Sequence, residues 1–403
     1  MIKTSLAWTR SEAIRRTLGY YLLFICLGLS MAIIGPTLPS LAAQTHTRLG
    51  SMGLVFLIGA AGYSLGTIIG GRVLDQVRGH PVLGIAELCA GASIFFVPTV
   101  SWFWLLLAIV SCKGFAEGFI NNGGNLLLIW THGEKVSPYL NGLHFFFGLG
   151  AVGAPFLVAQ VAGAANGYRW VYWVLAAFML LVGLRMLTLP GSPHPASHSK
   201  EGNMGITDAR KYYPLVITAA LFLFFYVGAE LTFGGWVYTY AVILNLASAT
   251  GAAYLNSGFW LAFTLGRLIS IPAATRLKPR QILTAALSGC LSFLALGILF
   301  PSSRSILWIM ALGLGFCMAP IWPTGFTLAG QSINMTGRIS GIVLLGDSFG
   351  TMVLPWLVGQ VIGTAGPGAM VPLIFGSLVL CFLAFLTLLR LGQKKAPLIS
   401  LGS

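Results

Sequence analysis

The stretch Lys113-Gly-Phe-Ala-Glu117-Gly-Phe-Ile-Asn121-Asn122-Gly-Gly-Asn125 sits in the middle of an apolar segment running from Phe103 to Trp130. That segment is long enough to cross a bilayer, which takes about 20 apolar residues as a helix. Lys113, Glu117, Asn121 and Asn125 are four apart, so on a helix they share one slowly rotating face. A charge at the membrane centre costs roughly 2.5–3.5 kcal/mol on insertion scales, and such residues face a partner or a wet cavity rather than lipid. The stretch therefore implies a bundle of further helices to shield it.

The composition supplies that bundle. Of 403 residues, 57% are hydrophobic and only 8% are charged, against about 25% charged in soluble domains. Long apolar segments rich in Leu, Phe and Gly favour helices over barrel strands, whose signature is short and alternating. The chain reads as an all-α polytopic membrane protein. Its net charge of +14 gathers at segment ends, as the positive-inside bias requires. Anionic lipid headgroups are the expected partners of these loops. No basic run is interleaved with aromatics, so nucleic acid is not expected. The six cysteines, Cys26, Cys89, Cys112, Cys290, Cys317 and Cys381, lie in apolar segments without C-x-x-C spacing and read as small core residues. No metal site and no cofactor is implied. The first apolar run, from Leu18 to about Ala43, is too long for a signal peptide core and contains Gly35-Pro36 and Pro39. It reads as an uncleaved first span.

Punctuation by Gly, Pro and charge gives twelve spans, near 18–43, 51–74, 81–100, 103–131, 137–163, 169–190, 213–244, 251–275, 281–300, 305–330, 338–363 and 369–391. With the N-terminus inside, the cytoplasmic connections hold Arg72, Arg78, Lys135, Arg185, Lys200, Arg210, Lys211, Arg267, Arg276, Lys278, Arg280, Arg338, Arg390, Lys394 and Lys395. The external ones hold only Arg48, Arg169 and Arg304. This alternation supports an even count with both termini cytoplasmic, in a plasma (inner) membrane. One polar linker, 191–212, separates residues 1–190 from 213–403; its His194 and His198 read as solvated loop residues rather than metal ligands.

The two halves repeat at an offset near 200. Gly150, Pro155, Leu157, Val158, Gln160, Val161 and Gly163 match Gly350, Pro355, Leu357, Val358, Gln360, Val361 and Gly363. Gly114-Phe115 and Gly124 match Gly315-Phe316 and Gly325, and Gly71-Arg72 aligns with Gly266-Arg267 at a smaller offset. A parallel repeat of six helices is the mark of a transporter with two pseudo-symmetric bundles around a midplane site.

Four acids lie inside spans, Glu87, Glu117, Glu230 and Asp347, with Lys113 and Arg267 as their basic counterparts. Lys113 and Glu117 either neutralise each other as an i,i+4 pair or serve a function, with Glu117 carrying a proton or contacting solute and Lys113 tuning its acidity. Asn121, Asn122 and Asn125 offer donors and acceptors suited to hydroxyl groups. His144 is either a satisfied interhelical hydrogen-bonder or a substrate or proton residue. Asp347 has no i,i+4 partner, so it takes one from another helix or is protonated, and ion coupling and structural ion pairing both stay open for it; Glu230 is, beside Glu117, a candidate for coupling the cation. Gly234-Gly235, beside Glu230, permits a helix break, matching Gly35-Pro36 in the first half; paired breaks point to a binding site. Trp236, Trp260 and Trp322 are candidate aromatic platforms, with core packing the alternative for each. Trp102, Trp104, Trp170, Trp173 and Trp308 suit interfacial belts. At the inner turn Gly70-Gly71-Arg72-Val-Leu-Asp75-Gln76-Val-Arg78-Gly79-His80, Asp75 with Arg72 and Arg78 would form a gate, Asp75 facing the start of span eleven near Thr336-Gly337. No nucleophile elbow, Walker loop, zinc-protease or nicotinamide motif appears, so an enzyme is not expected.

That inner turn resembles the signature between spans two and three of the major facilitator superfamily, near G-x-L-x-D-R-x-G-R-R. Gly71 and Asp75 match, Gln76 replaces the usual basic residue, and Arg78-Gly79-His80 is displaced by one. Leu143-His-Phe-Phe-Phe-Gly-Leu-Gly-Ala151 and Tyr226-Val-Gly-Ala-Glu230 with Gly234-Gly235-Trp236 are similar to the branch holding fucose:proton symporters and sodium-dependent glucose transporters. The spacing Glu117-x-x-x-Asn121 is similar to the fucose-symporter pattern, in which that Glu faces sugar and proton. The first-span acid of those symporters has no counterpart between Gly28 and Leu41. The resemblance implies a secondary transporter of a small polar solute, a sugar, by alternating access, coupled to a proton in preference to sodium; a monomer is expected. Export of amphipathic compounds or lipid, and a transporter-like sensor without flux, stand as alternatives.

Overall fold

The structure is a computed structural model that describes residues 10–189, 191, 206–332 and 337–393. Among these there is no strand. Fourteen α-helices follow one another: α1 (Arg10–Ala32), α2 (Ile34–Gln44), α3 (Gly53–Leu74), α4 (Gly79–Phe96), α5 (Phe103–His132), α6 (Ser137–Val161), α7 (Gly167–Leu187), α8 (Ile206–Ile243), α9 (Ala249–Arg276), α10 (Pro279–Leu299), α11 (Arg304–Met318), α12 (Ile321–Ser332), α13 (Gly337–Ala365) and α14 (Met370–Gln393). Ten helical segments are long and apolar enough to cross a membrane, and the bent pair α1–α2 is an eleventh. The twelfth span is α9, less apolar because Asn256, Arg267 and Arg276 lie along it.

Two spans are broken, and proline explains both. Between α1 and α2 the axis bends by 48°. Pro36 has no N–H to donate, and its ring crowds the carbonyl of Ala32 four residues back. Between α11 and α12 the helix is interrupted at Ala319-Pro320. The Met318 carbonyl there accepts a hydrogen bond from the Tyr226 hydroxyl at 2.7 Å, so a group orphaned by the break is satisfied from α8. The reading of 305–330 as one unbroken span missed this. The expected break at Gly234-Gly235 is absent: α8 runs straight through it. Its start at Ile206 also lies inside the stretch read as linker, whose His194 and His198 fall outside the described residues.

The repeat is visible in matched helix pairs. α1 packs on α6 as α8 packs on α13, and α3 on α5 as α9 on α11. A side-chain carbon at Gly150 would strike the Ile25 carbonyl, and one at Gly350 the Phe224 carbonyl. One at Gly66 would strike the Phe115 carbonyl, and one at Gly266 the Phe316 carbonyl. Gly266 therefore corresponds to Gly66, not to Gly71, and the alignment of Gly71-Arg72 with Gly266-Arg267 is corrected. Arg267 is likewise no loop residue: it lies within α9. The helices α1–α7 meet α8–α14 chiefly through α3–α13, α6–α9 and α2–α8.

Candidate solute and ion site

A cavity of about 890 Å³ lies between the two sets of helices, within the range of about 300–1,000 Å³ usual for small-molecule sites. α1, α2, α3, α5 and α6 form one wall, and α8, α9, α12 and α13 the other. The lining continues to Ser137 at the start of α6 and to Leu277 and Pro279 between α9 and α10. This end of the bundle, which also carries Arg72, Arg78, Lys135 and Lys278 in its turns, is the basic end. At the opposite end the halves touch. A Cβ on Gly35 would stand 2.8 and 3.0 Å from the Gly234 and Gly235 carbonyl oxygens. Gln360 Nε2 donates to the Gly50 carbonyl at 3.2 Å, Gln160 Nε2 to the Tyr254 hydroxyl at 2.9 Å, and Ser257 Oγ to the Val152 carbonyl at 2.9 Å. The cavity is thus open toward the basic end and closed opposite.

One wall is polar. Lys113 and Glu117, one turn apart on α5, form an ion pair at 2.7 Å with both side chains almost fully buried. Ser30 Oγ of α1 donates to the same Glu117 Oε1 at 2.5 Å, and Lys113 Nζ reaches the Ser30 carbonyl at 3.4 Å. A lysine, a carboxylate and a hydroxyl thus neutralise one another at the cavity face. Asn121 follows one turn on, and His144 and Asn141 project from α6, both exposed to the cavity. Tyr63 of α3 stands within electrostatic reach of both Glu117 and Asp347.

The facing wall is aromatic, with charge at its base. Trp260 meets Phe263 edge-on at 5.7 Å, and Trp322 stacks on Phe326 at 5.5 Å. The Arg267 guanidinium lies 4.9 Å from the centre of the Phe263 ring, a cation–π contact. Glu230 feels the charge of Arg267, and Asp347 feels Glu230 and lies within hydrogen-bonding reach of the Trp322 indole.

Of the residues singled out from sequence, Lys113, Glu117, Asn121, His144, Glu230, Trp260, Trp322 and Asp347 all line this one cavity. Three do not. Trp236 is fully buried and donates to the Pro355 carbonyl at 3.0 Å, closing the seam with α13. Because α8 does not break, this residue is held against its neighbours and is not a platform. Asn122, one residue after Asn121 and so about 100° around the helix, turns to α3 and donates to the Thr67 carbonyl at 3.0 Å. Asn125 folds back on the Asn121 carbonyl at 2.8 Å. Each four-residue step turns the face by about 40°, and by Asn125 the drift has carried the side chain off the cavity. Arg72, Asp75 and Arg78 are exposed at the basic end, and Thr336, the expected neighbour of Asp75, lies outside the described residues. Ser30 and Tyr63 were not anticipated; a lone Ser or Tyr in an apolar helix carries no distinguishing signal. Arg267 had one, as an intramembrane cation.

The family model of the major facilitator superfamily matches residues 20–355. The chain belongs to that superfamily. A relative, sodium-dependent glucose transporter 1 of Xenopus laevis, is 30% identical over 361 residues, covering 83% of this chain and 73% of the relative. Two solved structures share the superfamily fold. A mutant of the nucleoside transporter NupG has a TM-score of 0.76 at 15% identity, covering 93% of this chain and 99% of its own. A bacterial homologue of the human lysosomal transporter Spinster, in an inward-facing and unoccupied conformation, has a TM-score of 0.75 at 13% identity, covering 96% and 98%. The chain is therefore a multi-pass membrane transporter of the major facilitator superfamily, with the twelve-span fold and a central cavity reached from one end.

Proposed function

We propose that this superfamily member moves a sugar across the membrane by alternating access and couples that movement to a proton taken up at Glu117. What carries this reading is the inequality of the two cavity walls. Asn121, Asn141 and His144 suit the hydroxyl edge of a ring, while Trp260 and Trp322 suit its flatter face. The same inequality exists within the repeat, where Met318 and Trp322 stand at the positions of Glu117 and Asn121. By the positive-inside bias the basic end is cytoplasmic, so the cavity opens inward and both termini lie inside, at the plasma (inner) membrane. Residues 1–190 and 213–403 rock about the site, joined by 191–212. A proton on Glu117 cancels the charge that holds Lys113 and the Ser30 hydroxyl, and so weakens the α1–α5 contact at the cavity face. In proteoliposomes, Glu117→Gln is expected to abolish uphill uptake while counterflow of labelled sugar persists; pH-driven uptake equal to wild type overturns the assignment.

Sodium is the second reading, favoured by the name of the Xenopus relative. Imposing a sodium gradient at equal pH on both sides separates the two: accumulation then assigns sodium, and accumulation only under a pH gradient assigns the proton.

A further inference from the structure

Behind the polar wall lies an acid that the cavity does not reach. Glu87 of α4 is fully buried, and among the described residues neither of its carboxyl oxygens has a hydrogen-bond partner. The polar group beside it is the buried Cys26 thiol of α1, and Glu117 of α5 lies within electrostatic reach. From α7, the residues bordering this part of α4 are Met179, Leu180, Gly183 and Leu187, none of which titrates. An ionised carboxylate in such a place would be desolvated with no donor beside it but a weak thiol. Cys26 stands one turn before Ser30 on α1, so the two are neighbours on one helix face. Ser30 in turn donates to Glu117 Oε1. α1 thus lays a thiol and a hydroxyl in sequence between two carboxyl groups, with Lys113 as the cation paired to one of them.

We infer that Glu87 and Glu117 share a single proton across α1, Glu87 holding it while Glu117 is paired with Lys113. The set stays neutral in either arrangement. When Glu117 gains the proton, the Glu87 O–H bond is the one that breaks, and the Glu87 carboxylate then balances Lys113. The coupling proton of the transport cycle is a second one, taken up at Glu117 from the cavity; the inference concerns the proton already held, rests on Glu117 being the residue that takes up the second, and its test does not use transport.

The measurement is the infrared C=O stretch of protonated carboxyl groups in purified full-length protein at neutral pH. Glu87→Gln is expected to remove one such band from the wild-type spectrum. The same band is expected to vanish in Glu117→Gln, because Glu87 ionises to face Lys113, and to return when Lys113→Met is added. Its assignment in those backgrounds comes from adding Glu87→Gln to each. No band lost in Glu87→Gln overturns the inference, as does a band that survives Glu117→Gln unchanged. Gln reproduces the shape of the neutral acid; if that variant is not recovered, Glu87→Asp reports the same state by shifting the band. Loss of coupling at Glu117 is read separately, from uptake, so failure of either reading is distinguishable from failure of the other.

Discussion

Lys113 and Glu117 are each almost fully buried and bound to one another, and that makes Glu117 without Lys113 a liability. Removing one member of a buried pair costs about 3–5 kcal/mol, since an uncompensated charge is left behind. Lys113→Met is therefore expected to unfold many degrees lower at neutral pH in detergent. Lys113→Met with Glu117→Gln should be nearly as stable as wild type, and a double-mutant cycle measures the coupling. The three asparagines divide differently. Asn122→Ala removes the bond to Thr67 and should cost about 1 kcal/mol of stability with sugar affinity unchanged. Asn121→Ala should weaken sugar binding about tenfold, or about 1.4 kcal/mol, at unchanged melting temperature; calorimetry and thermal unfolding separate the two. The sequence showed that this face of α5 is polar. It did not show where the face leaves the cavity, because a rotation of about 40° per step becomes decisive only once the neighbouring helices are in place.

At the scale of helices, the glycines that seat one backbone against another were legible as a repeat, and the contacts of Gly150 with Ile25 and of Gly350 with Phe224 give that repeat its physical cause. Gly150→Val and Gly350→Val should each separate a helix pair and lower expression and melting temperature sharply. Gly376 is the contrast: it is exposed on α14 with nothing near its missing side chain. Gly376→Ala should stabilise by up to about 1 kcal/mol through helix propensity, read as a higher melting temperature. Helix breaks were less legible. Gly35-Pro36 and Gly234-Gly235 look alike as punctuation, but only proline removes a donor and crowds a carbonyl. A glycine pair inside a buried helix is free to continue it, and here it gives Gly35 of the other half room to approach. The break at Pro320 went unread because the apolar run on either side of it continues.

For the molecule as a whole, twelve spans and their twofold repetition were readable from charge alternation and internal matches, because both follow from crossing a membrane twelve times with a duplicated unit. Which end stands open was not, since the two conformations of a rocking bundle share one sequence. The contact of Gln160 with Tyr254 offers a way to fix it. In a background without native cysteines, Gln160→Cys with Tyr254→Cys should cross-link under oxidant, stop sugar uptake, and regain it on reduction; uptake that survives complete cross-linking would mean this seam does not open during the cycle. The chemistry of that seam has a wider consequence. It is made of glycine contacts and three neutral hydrogen bonds, while the opposite rim carries exposed Arg72, Asp75 and Arg78. Dissolved ions screen exposed charges over about 8 Å at physiological strength and do little to neutral contacts. Brine on one side of the membrane would leave the shut seam indifferent, whereas the salinity on the other side would tune how readily the charged rims come together.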